Sequence, residues 1–193
     1  MNEEISQFLK IIFSDGKIMN DKNDQYLKQI SVPPKTILLK EGEISHKMYF
    51  IKQGCIRMGF HHDGRDITFQ FFFENQSVSS IESFISDQPS EFFIETIEPS
   101  TVYVVTKTDF WKIINDVPEI SQHMQKMLMQ RMGHYARLFL SFIRDTPAER
   151  YKQLLENQPH IIQRVPQHYI ASYLGITSVS LSRIRNRLLK DKK

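Results

Sequence analysis

Residues 167–186 read QHYIASYLGITSVSLSRIRN. Taken alone, the end of this stretch, SVSLSRIRNR over 178–187, alternates like a half-buried β-strand. A strand would set Leu181 and Arg183 on one face, which no half-buried sheet favours. At about 100° per residue the same residues separate cleanly: Leu181, Ile184 and Leu188 form one stripe, while Val179, Ser182, Arg183, Asn186 and Lys190 fall on the opposite face. Upstream, apolar Ile170, Leu174 and Ile176, with small Ala171 and then Gly175, have the spacing of a helix-turn-helix. Two helices cross at Ala171, and Gly175 takes the left-handed conformation that a tight turn demands. Thr177 or Ser178 carries the hydroxyl to cap the second helix. The cationic outer face argues against a hairpin that merely packs.

Upstream of this unit, Asp145-Thr146-Pro147 supplies a cap and a start for a helix over AERYKQLLEN, which Pro159 ends; HIIQRVP then reads as a short extended run. Pro118 opens a longer helix toward Arg144. Along it Leu128, Met132, Tyr135, Phe139 and Phe142 are spaced 4, 3, 4, 3, the seam of a two-stranded coiled coil. A second stripe, Ile120, Met124, Met127 and Leu138, lies on an adjacent face. One stripe packs on the rest of the chain and the other meets a partner helix, which predicts a homodimer; the competing reading is one wide core-facing stripe in a monomer.

From Val32 to Val105 the period changes to that of strands: TILLK, KMYFIK, CIRMGF, ITFQFFF, FFIETI and TVYVVT, separated by Pro33-Pro34, Glu41-Gly42, Gln53-Gly54, Asp63-Gly64 and Pro99-Ser100. Such a series predicts an antiparallel roll or barrel, with HHDGRD as a hairpin tip. Glu3 to Ile30 reads as short helices. The expected class is α+β: residues 1–117 a β-roll domain with N-terminal helices, 118–144 the dimerisation helix, 145–193 the helix-turn-helix domain.

Composition narrows the function. The 193 residues carry a net charge of +3, unevenly spread: Arg144 to Lys193 holds ten Lys or Arg against four acids, residues 1–143 fifteen against eighteen. A basic tail on an acidic body suits nucleic acid, although solvated basic helices are common. One cysteine, Cys55, rules out an intrachain disulfide, a four-thiolate zinc site and a cysteine-ligated iron-sulfur cluster within one chain; it reads as a small buried hydrophobe. The acidic N-terminus and the lack of an uninterrupted apolar run of about 18 residues predict a cytoplasmic protein with no membrane partner.

QHYIASYLGITSVSLSRIRN resembles the helix-turn-helix of the Crp/Fnr family of bacterial transcription regulators, and EGEISHKMYFIKQGCIRM followed by the long helix resembles the family's upstream part in order. The resemblance spans nearly the whole chain. It implies an N-terminal double-stranded β-helix (jelly-roll-like) effector domain and a homodimer whose recognition helices, here Thr177 to Leu189, read the half-sites of an inverted repeat in double-stranded DNA. Thr177, Ser178, Val179, Ser182, Arg183 and Asn186 are then the candidates for base contact, with Arg183 where the family commonly reads a guanine. Arg187 and Lys190 flank that face toward phosphates, as do Gln167 and His168 at the start of the first helix. Arg185 lies nearer the packed side, suited equally to an ion pair. The family's wing hairpin follows the recognition helix, whereas this sequence runs out at LLKDKK, so a truncated wing is expected.

In the cyclic-AMP-binding members a Gly-Glu pair holds the ribose and an Arg-Ser pair the phosphate. Aligned by pattern, SVSSIESFISDQPSEFFIET places Ser79 and Ser80 at the first pair and Ser90 and Glu91 at the second, so all four functional choices are absent. Between Asp66 and Thr106 there is no Lys or Arg, but seven acids, and no glycine occurs from Arg65 to Met132. A phosphate there meets repulsion without a cation or an amide nest. The roll thus reads as a degenerate sensor, with a cyclic-nucleotide-responsive or otherwise effector-responsive regulator as the alternative. Phe69, Phe71, Phe73, Phe84, Phe92 and Phe93 would line a pocket for another small-molecule effector, or simply form core.

Other classes fare less well. His61 and His62 invite a metal-dependent cupin-type enzyme, but adjacent strand residues face opposite ways and cannot share one interior metal. No nucleophile motif, P-loop or dinucleotide turn is present, so neither an enzyme nor a cofactor or metal is expected. A non-DNA-binding adaptor conflicts with the basic face. An activator would also present a surface to RNA polymerase, and nothing in the sequence marks one.

Overall fold

The computed structural model describes residues 26–116 and 118–190. Among the described residues eight strands make two four-stranded sheets: β1 (Lys28–Val32), β8 (Ser100–Thr106), β3 (Lys47–Gln53) and β6 (Ser77–Val78) in that spatial order, and β2 (Ile37–Leu39), β7 (Phe93–Thr96), β4 (Ile56–His62) and β5 (Arg65–Phe72) in the other. The pairings of β3 with β6 and β8, of β1 with β8 and of β2 with β7 are antiparallel. All six expected strand runs are present. β1 and β6 are additions, and β1 corrects the helical reading of Lys28 to Ile30. The helices expected over residues 3–25 lie outside the described residues. HHDGRD is the hairpin tip joining β4 to β5, with Asp63 and Gly64 both at positive φ (50° and 70°), the geometry of a type I′ turn. His61 and His62 are both exposed on that tip.

Seven helices are described: α1 (Ile81–Ser86), α2 (Lys107–Asp116), α3 (Pro118–Arg144), α4 (Pro147–Asn157), α5 (Pro159–Arg164), α6 (Gln167–Tyr173) and α7 (Ser178–Lys190). α5 corrects the reading of HIIQRVP as extended. Pro159 ends α4 and also occupies the first turn of α5, where its missing N–H costs nothing; Ile161 and Val165 are then buried. Of the two candidate caps for α4, Asp145 and Thr146, it is Thr146 that serves, in a reciprocal capping box with Glu149. The two backbone and side-chain hydrogen bonds from Thr146 hold the Glu149 carboxyl below its usual pKa.

The chain divides into two compact units, residues 1–58 with 71–131 and residues 59–70 with 132–193. Contacts thus group the β4–β5 hairpin tip with the C-terminal helices and split α3. In the first unit Met48 and Phe50 of β3, Val105 of β8, Phe84 of α1 and Phe110 and Ile113 of α2 pack with Ile120, Met124 and Met127 of α3. This is the core-facing stripe expected of the long helix. Of the six phenylalanines singled out, Phe71, Phe73, Phe84 and Phe93 are buried and Phe69 and Phe92 half-buried, and Cys55 is fully buried.

Of the residues expected along the α3 seam, Met132, Phe139 and Phe142 are exposed. Leu128 and Tyr135 are half-buried, and the Tyr135 ring lies 5.3 Å from Phe69 on the hairpin. Phe142, 42 % exposed, takes the Arg150 guanidinium at 4.5 Å. The fully outward residues are Met132, Ala136, Phe139 and Ile143, at 4, 3, 4 spacing, with Leu140 beside them. The hairpin claims the Tyr135 side of the helix. That competition is invisible in the local heptad.

Candidate nucleic-acid interface

α6 and α7 are joined by a turn whose hydrogen bonds form a full Schellman motif. The Ile176 N–H donates to the Ala171 carbonyl (2.9 Å) and the Gly175 N–H to that of Ser172 (2.9 Å), with Gly175 at φ +68°. The left-handed residue required at this turn explains the glycine; a Cβ there would also stand 3.2 Å from the Phe142 ring. Thr177 is the cap of α7: its Oγ1 accepts from the Ser180 N–H at 3.1 Å and its carbonyl from the Leu181 N–H. Ile170, Ala171, Leu174 and Leu181 are buried, while Ile176, Ile184 and Leu188 are half-buried.

The other face of α7 is open. Ser178, Val179, Ser182, Arg183, Asn186, Arg187 and Lys190 are all exposed, as are Gln167 and His168 on α6. Arg183, Arg187 and Lys190 make no ion pair among the described residues, and α7 contains no acid. The result is a continuous cationic and hydroxyl-bearing surface with one apolar contact point, Val179. Of the sequence-derived candidates, Thr177 differs: its hydroxyl is engaged in capping, which makes its role the positioning of α7. Arg185 is half-buried and also makes no ion pair among the described residues.

Two residues that sequence reasoning did not single out hold this surface in place. Arg150 on α4 donates from Nη1 to the Asp145 carbonyl (2.7 Å) and from Nη2 to the Leu174 carbonyl (2.9 Å), fastening α4 to the end of α6. Burial lowers its pKa from the usual arginine value, yet from so high a start it stays charged. The Ser172 hydroxyl accepts from the Thr68 N–H and donates to the Asp66 carbonyl, both at 2.9 Å, so one helical side chain takes the place of a strand neighbour for β5. Neither contact has a local signal, since the partners lie 24 and over 100 positions away.

The positions matching the family's cyclic-nucleotide grip are closed on themselves. Ser79, Ser80 and Ser90 are buried and Glu91 is exposed. Ser79 Oγ donates to the Lys47 carbonyl (3.1 Å) and sits 3.1 Å from Ser45 Oγ. Ser90 Oγ donates to the Phe92 carbonyl at 2.7 Å and accepts from its N–H at 3.0 Å. Arg57, buried in the roll, pairs with Glu95 at 2.6–2.7 Å and stacks on Phe93 at 4.7 Å, so its charge is already neutralised.

Residues 29–117 match the family described as Cyclic nucleotide-binding domain. A curated relative, the lactate racemization regulatory protein of Lactiplantibacillus plantarum, is 28 % identical over 102 residues. That alignment covers 51 % of this chain and 46 % of the relative, so the chain spans about half the length of the protein it matches. Among solved structures, a CooA mutant from Carboxydothermus hydrogenoformans superposes with TM-score 0.73 at 17 % identity, covering 94 % of this chain and 84 % of that one. The c-di-GMP-responsive global regulator CLP of Xanthomonas campestris gives TM-score 0.72 at 16 % identity, covering 98 % and 92 %. Residues 29–117 therefore match the cyclic nucleotide-binding domain model, and the chain shares the fold of these two solved structures. No helix among the described residues is long and apolar enough to cross a membrane.

Proposed function

We propose that the chain is a sequence-specific DNA-binding transcription regulator of the Crp/Fnr type, acting as a homodimer with α7 in the major groove of each half-site. The observation that carries this reading is the open, acid-free face of α7, from Ser178 to Lys190, presented by a capped helix after a Schellman turn. Arg183 reads a guanine through its guanidinium fork, Ser182 and Asn186 bond neighbouring base edges, and Val179 meets a thymine methyl. Arg187, Lys190, Gln167 and His168 contact phosphates, and Ser178 lies at the helix start where backbone N–H groups also face a phosphate. Met132, Phe139 and their exposed neighbours on α3 form the dimer seam.

Selection of bound sequences from a random duplex pool tests this directly. The wild type is expected to recover an inverted repeat with half-site centres about one helical turn apart. Arg183→Ala is expected to lose about 1–3 kcal/mol per half-site and to relax one base position in each, with the fold unchanged because the side chain is exposed. Recovery of no motif by the wild type across a range of salt concentrations overturns the reading.

The roll acts in this proposal as a degenerate sensor. Ser79 and Ser90 are spent on internal hydrogen bonds, and Arg57 is spent on Glu95. Calorimetric titration with cyclic AMP or cyclic GMP is expected to give no heat of binding at micromolar ligand; a micromolar affinity for either would sink this part of the reading.

A further inference from the structure

A cavity of about 300 Å³ opens inside the second unit, among the C-terminal half of α3, α4 and the end of α6. Its size is at the small end for small-molecule sites. The wall is chemically one-sided. Arg137 and Arg150 contribute cations, and no Asp or Glu lines it. Gln153, Asn157 and Gln158 add amides, and Leu138, Phe142 and Leu154 an apolar side. Tyr173, also in the wall, has its phenol pushed up to about 12, chiefly by burial, so it adds no negative charge near neutral pH.

The two arginines are suited to an anion in different ways. Arg150 is held rigidly by the Asp145 and Leu174 carbonyls and by the Phe142 ring, and its buried Nε has no acceptor among the described residues. Arg137 is exposed and makes no ion pair among the described residues. Arg150 feels the Asp145 carboxylate from outside the wall, whereas Arg137 faces the half-apolar hollow with no carboxylate in its wall, so an anion entering there gains chiefly from Arg137. Inorganic phosphate would answer the charge but leave Leu138 and Leu154 facing water.

We propose that this cavity binds a small organic carboxylate with a compact apolar body, its charge facing Arg137 and Arg150 and its body against Leu138, Phe142 and Leu154. Because the wall includes Leu174, the residue before the Gly175 turn, occupancy bears on the segment that leads into α7. The wall residues all belong to the second unit, whereas Ser79, Ser80 and Ser90 belong to the first.

The test is titration of the full chain, without DNA, using benzoate, its neutral isostere benzamide, and inorganic phosphate, followed by calorimetry and by NMR shifts. Benzoate is expected to bind saturably, one per chain, with a dissociation constant of ~0.1–1 mM. Benzamide is expected to bind at least about tenfold more weakly, and phosphate not to saturate. Arg137→Gln, at an exposed position, is expected to weaken benzoate about tenfold with an unchanged thermal midpoint. Leu154→Trp, checked for folding by circular dichroism, is expected to abolish binding by filling the cavity. Absence of saturation with benzoate, equal binding of benzamide, or an unaltered affinity in Arg137→Gln overturns the proposal. As no DNA is present, the outcome is independent of whether α7 reads DNA.

Discussion

Glutamate in place of Phe139 is expected to convert the proposed dimer to monomers and to cost at least about a thousandfold in affinity for an inverted repeat. Phe139 is 67 % exposed, in the middle of an outward row with Met132 (65 %) and Ile143 (69 %) and with Ala136 between them. Monomers rarely leave such a row to water, and its 4, 3, 4 spacing is that of a two-stranded seam. Burying a phenylalanine contributes about 1.5–3 kcal/mol, and a two-fold interface loses it twice. The paired glutamates then repel across the axis. The sum exceeds about 4 kcal/mol, three decades in the dimer dissociation constant. A monomer reaching one half-site loses the effective concentration that joins the second. Sedimentation equilibrium gives the mass, and fluorescence anisotropy with a single half-site and a full repeat separates the two losses. A variant that stays dimeric would rule out this face as the seam. Tyr135→Glu is a useful contrast: Tyr135 packs against Phe69 within one chain, so the variant should lower stability before it changes the oligomeric state.

Gly54→Ala carries the largest expected effect on stability. Gly54 follows β3 at φ +110°, where L side chains are strained, and its N–H donates to Glu74 Oε1 at 2.8 Å. A Cβ at this position would lie 2.3 Å from Ser100 Oγ and 2.8 Å from Ser100 Cα. The second of these is backbone at the start of β8, the strand between β1 and β3, so neither neighbour yields without moving the sheet. Backbone strain of about 1–3 kcal/mol and overpacking of about 1–3 kcal/mol add to roughly 2–6 kcal/mol. That is a large share of a typical domain stability of about 5–15 kcal/mol. The thermal midpoint should fall by on the order of 10 °C or more. Gly42 has nothing within 4 Å of the place a Cβ would occupy, so Gly42→Ala lacks the steric clash and should cost the backbone strain only.

The helix-turn-helix was readable because every local cue agreed. Ala171 fits a crossing, Gly175 the left-handed turn, and Thr177 the cap; Leu181, Ile184 and Leu188 supply a stripe opposite Arg183 and Asn186. These are interactions within about five residues, and periodicity reports them. The α2 helix was missed although Thr106 and Asp109 exchange hydrogen bonds at its start, because TVYVVT runs into it and a strand ending on its own helix cap leaves no punctuation. α5 was missed because Pro159 was read only as a stop. On α3 two apolar stripes were visible, but which residues between them turn inward depends on what else packs there.

Sequence by itself thus determined the class of the fold and the faces of α7, since each follows from residue type and spacing along a single element. Tertiary structure alone decided that Ser172 clasps the β4–β5 hairpin, that Arg150 ties α4 to the end of α6, and that Tyr135 packs on Phe69 while Ala136 and Ile143 face out. It also enclosed Arg137 and Arg150 around one hollow. Those outcomes depend on contacts between residues far apart in the chain, where side chains compete for the same space and no local period records the winner.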